Sequence, residues 1–377
     1  MERPHGSYIG HFSNLVKAHG GINLAQGIPG HRPPAELLDA LAQVLRTDAH
    51  QYAPGQGDAQ LLQLVAQRYG LAPDNVLMVQ GGTEGLSLAY TYIAQLLGPD
   101  MAVMGIAPAY ESHSHLPRIF GHRYVSFAPE PDGRLDMDRL ASDMRRERIG
   151  LLFVASPGNP HGRALSKQQV LQLLGVAQRT GAYVVFDAVY HELYFEQPPY
   201  VPTDQLGERL FIVGSFSKSL CITGWRVGYL LHHASHASGL RSVHDYVGLC
   251  ASAPMQRALA IYLADAQPAE RYAAELRARL AAAYSGLSDH LRGLGFGVPP
   301  TDGGCFVWAE LPQHLAADGF ELASTLYEQQ RVAVVPGEHF GSSYARWLRL
   351  NIARPADELH EAKQRLAQFF ADLDVNT

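Results

Sequence analysis

Lys218 stands in the run Ser215–Gly228, SFSKSLCITGWRVG, with four hydroxyls and an arginine close in sequence. A lysine amine becomes a useful nucleophile when apolar walls and nearby cations lower its pKa from about 10.4 towards neutrality. Ser215, Ser217 and Arg226 are the residue types that hold a phosphate: hydroxyl donors and a planar guanidinium that can bind two oxygens at once. An amine beside a phosphate cradle points to a cofactor carrying both an aldehyde and a phosphate. The run also reads as strand, loop and strand with a solvated lysine, and by itself it does not separate the two.

Other residues add to the first reading. GGTEG follows an apolar run and opens a helical stretch, so Gly82 and Thr83 would offer backbone N–H groups and a hydroxyl at a positive helix end. Asp187 ends an otherwise apolar run and would cap a helix or face a positive group. Tyr190 offers a phenol three residues later. Asn159, between two prolines in SPGNPHG, offers an amide on a stiffened backbone. Tyr110 in PAY is a flat ring able to stack on an aromatic ligand. Each has a plainer structural role available, and only the assembly resists a plain explanation.

The elements that must position these residues are short apolar runs alternating with helices. NVLMVQ, AVMGI, RYVSFA, IGLLFVA, AYVVFDAVY, LFIVGS and WRVGYLL read as strands. Strands separated by helical stretches imply a mostly parallel, doubly wound sheet covered on both faces, with chemistry at the carboxyl ends of its strands. GGTEG, PAY, SPGNPHG, DAVY and SFSK all fall at such ends. From about Ser235 to Gly293 the chain reads as mainly helical, and a smaller α+β region follows. The expected division is a large domain over 36–275 and a small domain over 276–377, which residues 1–35 join. Those N-terminal residues show no clear helical period before Ile22.

Composition narrows the function. The chain has 377 residues, a net charge of -6 and 47% hydrophobic residues, enough for a large core and for two domains. Mild acidity and the lack of a Lys/Arg cluster argue against nucleic acid as a partner. Cys221, Cys250 and Cys305 are far apart and read as reduced thiols, which with no signal peptide or membrane-spanning run suggests the cytoplasm. The eighteen histidines show no HExxH spacing, so no metal site is expected.

Together these residues resemble the class I/II aminotransferases, pyridoxal-phosphate enzymes of fold type I. The likeness rests on SFSK followed by GWRVGY, with SPGNPHG and DAVY before it, and runs from NLAQGIP to WLRLNIA. The N-terminal segment and QYAPGQG look most like the methionine, glutamine and kynurenine aminotransferase branch. The resemblance implies that Lys218 binds pyridoxal 5'-phosphate as a Schiff base and then acts as base on the substrate α-carbon. Asp187 would pair with the ring nitrogen, Tyr190 and Asn159 with the ring oxygen, and Tyr110 would stack on the ring. Gly82, Thr83, Ser215, Ser217 and Arg226 would hold the phosphate. Tyr52 would reach the phosphate of a neighbouring subunit, so a homodimer is implied. Arg349 in RLNIA, with Gly27 and Asn159, would bind the substrate carboxylate.

Two stretches depart from the branch. GIPGH (residues 27–31) stands where the branch reads GFPDF, and DAVYH where it reads DEVYE, so Ala188 and His191 replace two acidic positions. No second arginine for a dicarboxylate substrate is evident. Tyr8, His11 and His31 are candidates for the side-chain pocket, though packing or surface roles are the plainer reading. The expected reaction moves an amino group from a neutral or aromatic L-amino acid to a 2-oxo acid by a ping-pong route. A carbon–sulfur β-lyase or a specialised amino-acid-modifying enzyme would need the same residues. A cofactor-binding regulatory module is the remote alternative, since the stretch before Ala35 is too short for a helix-turn-helix.

Overall fold

The computed structural model describes residues 1–130 and 132–375. The chain opens on helix α1 (Tyr8–His19) and a two-residue strand, β1 (Ile22–Asn23). This helix corrects the expectation of no helical period in that segment. Tyr8, Ile9, Phe12, Leu15 and Val16 do fall on one helical face, and the Ser7 hydroxyl caps the start by accepting from Gly10 N. Helices α2 (Ala35–Val44) and α3 (Ala59–Tyr69) follow.

Seven strands then build one sheet. They are β2 (Val76–Val79), β3 (Ala102–Ile106), β4 (Arg123–Phe127), β5 (Ile149–Ala155), β6 (Tyr183–Asp187), β7 (Leu210–Ser215) and β8 (Gly228–Leu231). Their order is β2-β8-β7-β6-β5-β3-β4. Only β8 runs against its neighbours, pairing antiparallel with β2 and β7. Between the strands lie α4 (Gly82–Leu97), α5 (Glu111–Ile119), α6 (Met137–Arg146), α7 (Lys167–Thr180) and a single turn, α8 (Phe216–Ser219). Every residue of β2, β7 and β8 is buried, as strands covered on both faces require. One core packs α2, α3, α6 and α7 on one face, and another packs α4 and α9 (Ala237–Val247) on the other.

After α10 (Ala253–Ala264), the long helix α11 (Ala266–Gly293) runs from the first of these cores into a third one. That core gathers β9 (Phe306–Glu310), α12 (Gly319–Gln330), β10 (Val332–Ala333), β11 (Val335–Pro336), β12 (Trp347–Asn351) and α13 (Ala356–Val375). Strands β11, β12 and β9 form an antiparallel sheet in that order. The N-terminal segment belongs here: β1 pairs parallel with β10, and Phe12 is fully buried in the same core. The apolar run VAVVPG is divided into two short strands, because β10 pairs with β1 and β11 with β12.

The segment leaving β1 lies along β12. Asn351, fully buried, donates its side-chain amide to the carbonyls of Gln26 and Ile28 at 2.8 and 2.9 Å. Its side-chain oxygen accepts from Ala353 N, and its own backbone N–H bonds Leu24 O. Gly27 is thus set between two carbonyls fixed by one side chain. Asn351→Ala should cost roughly 1–3 kcal/mol, since it strands carbonyl acceptors away from water. A fall in the urea midpoint at unchanged slope would show this. An unchanged midpoint would mean the segment is held by its backbone bonds alone.

Candidate active site

Strand β7 delivers Lys218. Its last residue, Ser215, accepts from Ser217 N at 3.2 Å and so caps the single turn α8. The turn points Lys218 towards the small sheet, where its Nζ donates to the Gly27 carbonyl at 2.6 Å. Burial lowers the pKa of this amine below its ordinary 10.5. Arg349 and Arg226 push the same way, against Cys305 and Asp187.

Around Lys218 is a cavity of about 230 Å³ at the junction of the two sheets. Gly27, Gly82, Thr83, Tyr110, Asn159, Asp187, Tyr190, Ser215, Ser217, Arg226 and Arg349 all border it. Tyr52 does not: it is 83% exposed on the outer surface.

One end of the cavity suits an anion. Helix α4 begins there, and Arg226 spans the gap, donating to Thr223 O at 3.0 Å and Gln80 O at 3.1 Å. Gly81 is required at this point. It holds φ of +83°, and a Cβ on it would sit 2.8 Å from the Arg226 guanidinium. The Ser217 hydroxyl is buried with no partner. An orphaned hydroxyl, a guanidinium and a helix N-terminus converging on one space are what a phosphate needs.

The opposite end holds Arg349, 1% exposed on β12. It donates to Asn159 Oδ1 at 3.0 Å and Ala25 O at 2.5 Å, while its Nε is buried without a partner. Its guanidinium carbon lies 4.2 Å from the centre of the Phe306 ring and 5.0 Å from that of Phe340. Burial lowers its pKa, and the neighbouring Tyr190, Cys305 and Glu111 oppose that shift. A buried cation with neutral hydrogen-bond partners and N–H groups to spare, Nε among them, is ready for an incoming carboxylate.

Between the two ends, Asp187 closes β6 and accepts from Val189 N at 3.1 Å through Oδ1. Its Oδ2 meets His113 Nε2 at 3.2 Å. His113 went unnoticed in the sequence. It lies one helical turn after Tyr110, 2% exposed and stacked on Phe153 with ring centres 4.8 Å apart. That spacing was its only signal. Burial also drives the Tyr190 phenol well above its ordinary value, so it stays protonated and able to donate.

The departures take other roles. His191 turns away from the cavity, bonding Ala188 O at 2.6 Å and Tyr69 Oη at 2.8 Å, and Tyr69 meets Tyr229 at 2.6 Å. Ala188 is buried in the core beneath the sheet. Tyr8, His11 and His31 do not border the cavity; Ile9, Ile28 and Glu111 do. Tyr8 instead packs on Phe320 and His339.

Residues 19–366 match the family model for aminotransferase class I and II. The chain belongs to that family. The probable N-succinyldiaminopimelate aminotransferase DapC of Mycobacterium tuberculosis is 30% identical over 391 residues, covering 97% of this chain and 96% of that protein. Methionine aminotransferase of Escherichia coli is 29% identical, over 94% of each chain. The solved N-succinyldiaminopimelate aminotransferase from Mycobacterium tuberculosis superposes with a TM-score of 0.88 at 29% identity, covering 96% of this chain and 97% of the other. The fold is therefore that of the fold type I transferases, and the cofactor is pyridoxal 5'-phosphate. The enzyme transfers amino groups between amino acids and oxo acids.

The depressed amine has a thermodynamic consequence. Between its folded pKa and 10.5, Lys218 binds fewer protons in the folded state than in the unfolded one, so its burden on stability lightens as pH rises. Lys218→Met should therefore stabilise the cofactor-free protein at neutral pH, with the gain shrinking towards pH 10.5. Urea midpoints at several pH values measure this. A gain that grows with pH would contradict the burial argument.

Proposed function

We propose that this aminotransferase takes its amino group from a neutral or aromatic L-amino acid and passes it to a 2-oxo acid, with Lys218 as the proton carrier. The observation that carries the reading is one buried, carboxylate-ready Arg349 in a cavity whose other guanidinium, Arg226, lies at the phosphate end, so that among the described residues none is left on the wall for a side-chain carboxylate. Lys218, Arg226 and Arg349 are the cations bordering the cavity, and Ile9, Ile28, Leu86 and Val189 give it apolar surface.

When bound, pyridoxal 5'-phosphate supplies an aldehyde for the amino group and a ring that accepts electron density from the substrate α-carbon. Gly82, Thr83, Ser215, Ser217 and Arg226 hold its phosphate, and Tyr110 offers the ring a flat face. The Asp187 carboxylate, oriented by His113, holds the proton on the ring nitrogen. Tyr190 and the Asn159 amide donate to the ring oxygen. Arg349 grips the α-carboxylate in a two-pronged fork, with the Gly27 segment beside it, and so presents the α C–H bond to Lys218. Lys218 Nζ takes that proton and returns it, a transfer that typically contributes on the order of a hundred- to ten-thousandfold.

The working unit proposed is a homodimer. Tyr52 supports it, being exposed and outside the lining of its own cavity, and would serve the phosphate end of a second copy. Residues 1–35 with 276–377 act as the small domain beside a large domain of 36–275, supported by their shared core. A cytoplasmic setting fits the three free cysteines. No helix among the described residues is long and apolar enough to cross a membrane.

Purified protein should be yellow and lose its colour on mixing with a suitable amino donor. Lys218→Ala should lose both the wild-type absorbance and turnover, and keeping both would sink the reading. Arg349→Lys should raise the apparent KM for the donor by about tenfold or more, because an ammonium cannot reproduce the fork. An unchanged KM would remove Arg349 from carboxylate binding.

A further inference from the structure

Glu111 is a carboxylate on the cavity wall that neither the cofactor nor the α-carboxylate accounts for. It opens α5 beside Tyr110 and borders the cavity with Ile9 and Ile28, its side chain 23% exposed. Its Oε2 lies 2.8 Å from Nε2 of His339, a side chain 5% exposed on the turn after β11. His339 is itself fixed, stacked on Tyr8 at 5.7 Å and set edge-on to Phe340 at 4.9 Å.

Burial alone would raise the Glu111 carboxyl, but the close approach of His339 and the Ser7 hydroxyl outweigh it and leave the group below its ordinary value. Glu111 is therefore ionised at neutral pH. A first-turn acid also suits the positive end of α5. That explains an acid at this position; it does not explain why a buried histidine from the other sheet meets it. Glu111 is close enough for its charge to be felt at Arg349. Outside the residues assigned to the cofactor and the α-carboxylate, the wall then offers Ile9, Ile28, Leu86 and Val189, the neutral polar groups of Gln26 and Thr223, and one carboxylate, Glu111.

We propose that Glu111, positioned by His339, selects the side chain of the amino donor. It repels a side-chain carboxylate and accepts a hydrogen bond from a neutral side chain that ends in N–H, such as a primary amide. This inference rests on the reading that Arg349 takes the α-carboxylate, since that grip leaves the side chain to the wall of Glu111. His339 acts through Glu111 and is a positioning residue.

Glutamate, glutamine and methionine have side chains of nearly equal reach and differ in what they end in, so they form the test set. Two readouts serve: the single-turnover loss of yellow absorbance for each donor, and calorimetric Kd values for their α-methyl analogues, which have no α-hydrogen to lose. Wild-type enzyme should favour glutamine over glutamate by about tenfold or more in both readouts, the size expected of a like-charge contact exchanged for a charge-assisted hydrogen bond. Glu111→Gln should bring that ratio to within roughly threefold of one, Glu111→Asp should keep most of it, and His339→Ala should lower it in part. Each ratio is taken within one variant, so a general loss of fold or cofactor does not imitate the effect. Wild-type enzyme that handles glutamate as well as glutamine would overturn the proposal, as would a Glu111→Gln ratio equal to wild type. If analogues bind but no donor bleaches the wild-type enzyme, the proposed function falls, and the Kd ratios alone decide the role of Glu111.

Discussion

Arg349 imposes the tightest constraint on this molecule. A guanidinium at 1% exposure, bonded only to the neutral oxygens of Asn159 and Ala25, carries a desolvation cost that its own contacts do not offset. Its surroundings hold it in place all the same. Phe306 and Phe340 cover the guanidinium, Asn159 comes from the end of β5 in the other sheet, and Ala25 comes from the N-terminal segment. Three separate parts of the chain must meet for that one side chain to be seated. On the proposed reading, an incoming carboxylate meets a cation already stripped of water and already aimed.

Lys218 lives under a related constraint from the opposite wall. The same burial that makes its ammonium costly makes its free amine accessible, and its Nζ rests on the Gly27 carbonyl in the very segment that Asn351 ties to β12. The two cations therefore share a support. What fixes the Gly27 segment against the small sheet also sets the distance from lysine to arginine. Glu111 and His339 are a further pairing of the same kind, one residue from each side of the cavity.

The large sheet was legible because its signals are local. Runs such as LFIVG and VVFD are apolar throughout, and the residues that interrupt them fall at strand ends, where a parallel sheet places its chemistry. SFSK and GWRVG could be joined to one cavity for that reason. Helix α1 was hard to read because Gly10, His11 and Asn14 are interleaved among its apolar residues along the chain and it starts only at residue 8. His113, Asn351 and the Glu111–His339 pair were out of reach for a different reason. Each is an ordinary polar residue whose role comes from a partner between 74 and 325 positions away. Spacing along a chain does not report such meetings. Nor could it show that His191 faces Tyr69 and not the cavity.

On the proposed reading the cofactor is joined to Lys218, and covalent trapping tests that attachment. The chain has four lysines, Lys17, Lys167, Lys218 and Lys363, so the assignment is unambiguous. Holoenzyme would be reduced with borohydride, digested and mapped by mass spectrometry. The reduced pyridoxyl phosphate mass should appear on the peptide containing Lys218 and on no other. The added mass on Lys17, Lys167 or Lys363 alone, or on none of the four, would contradict it.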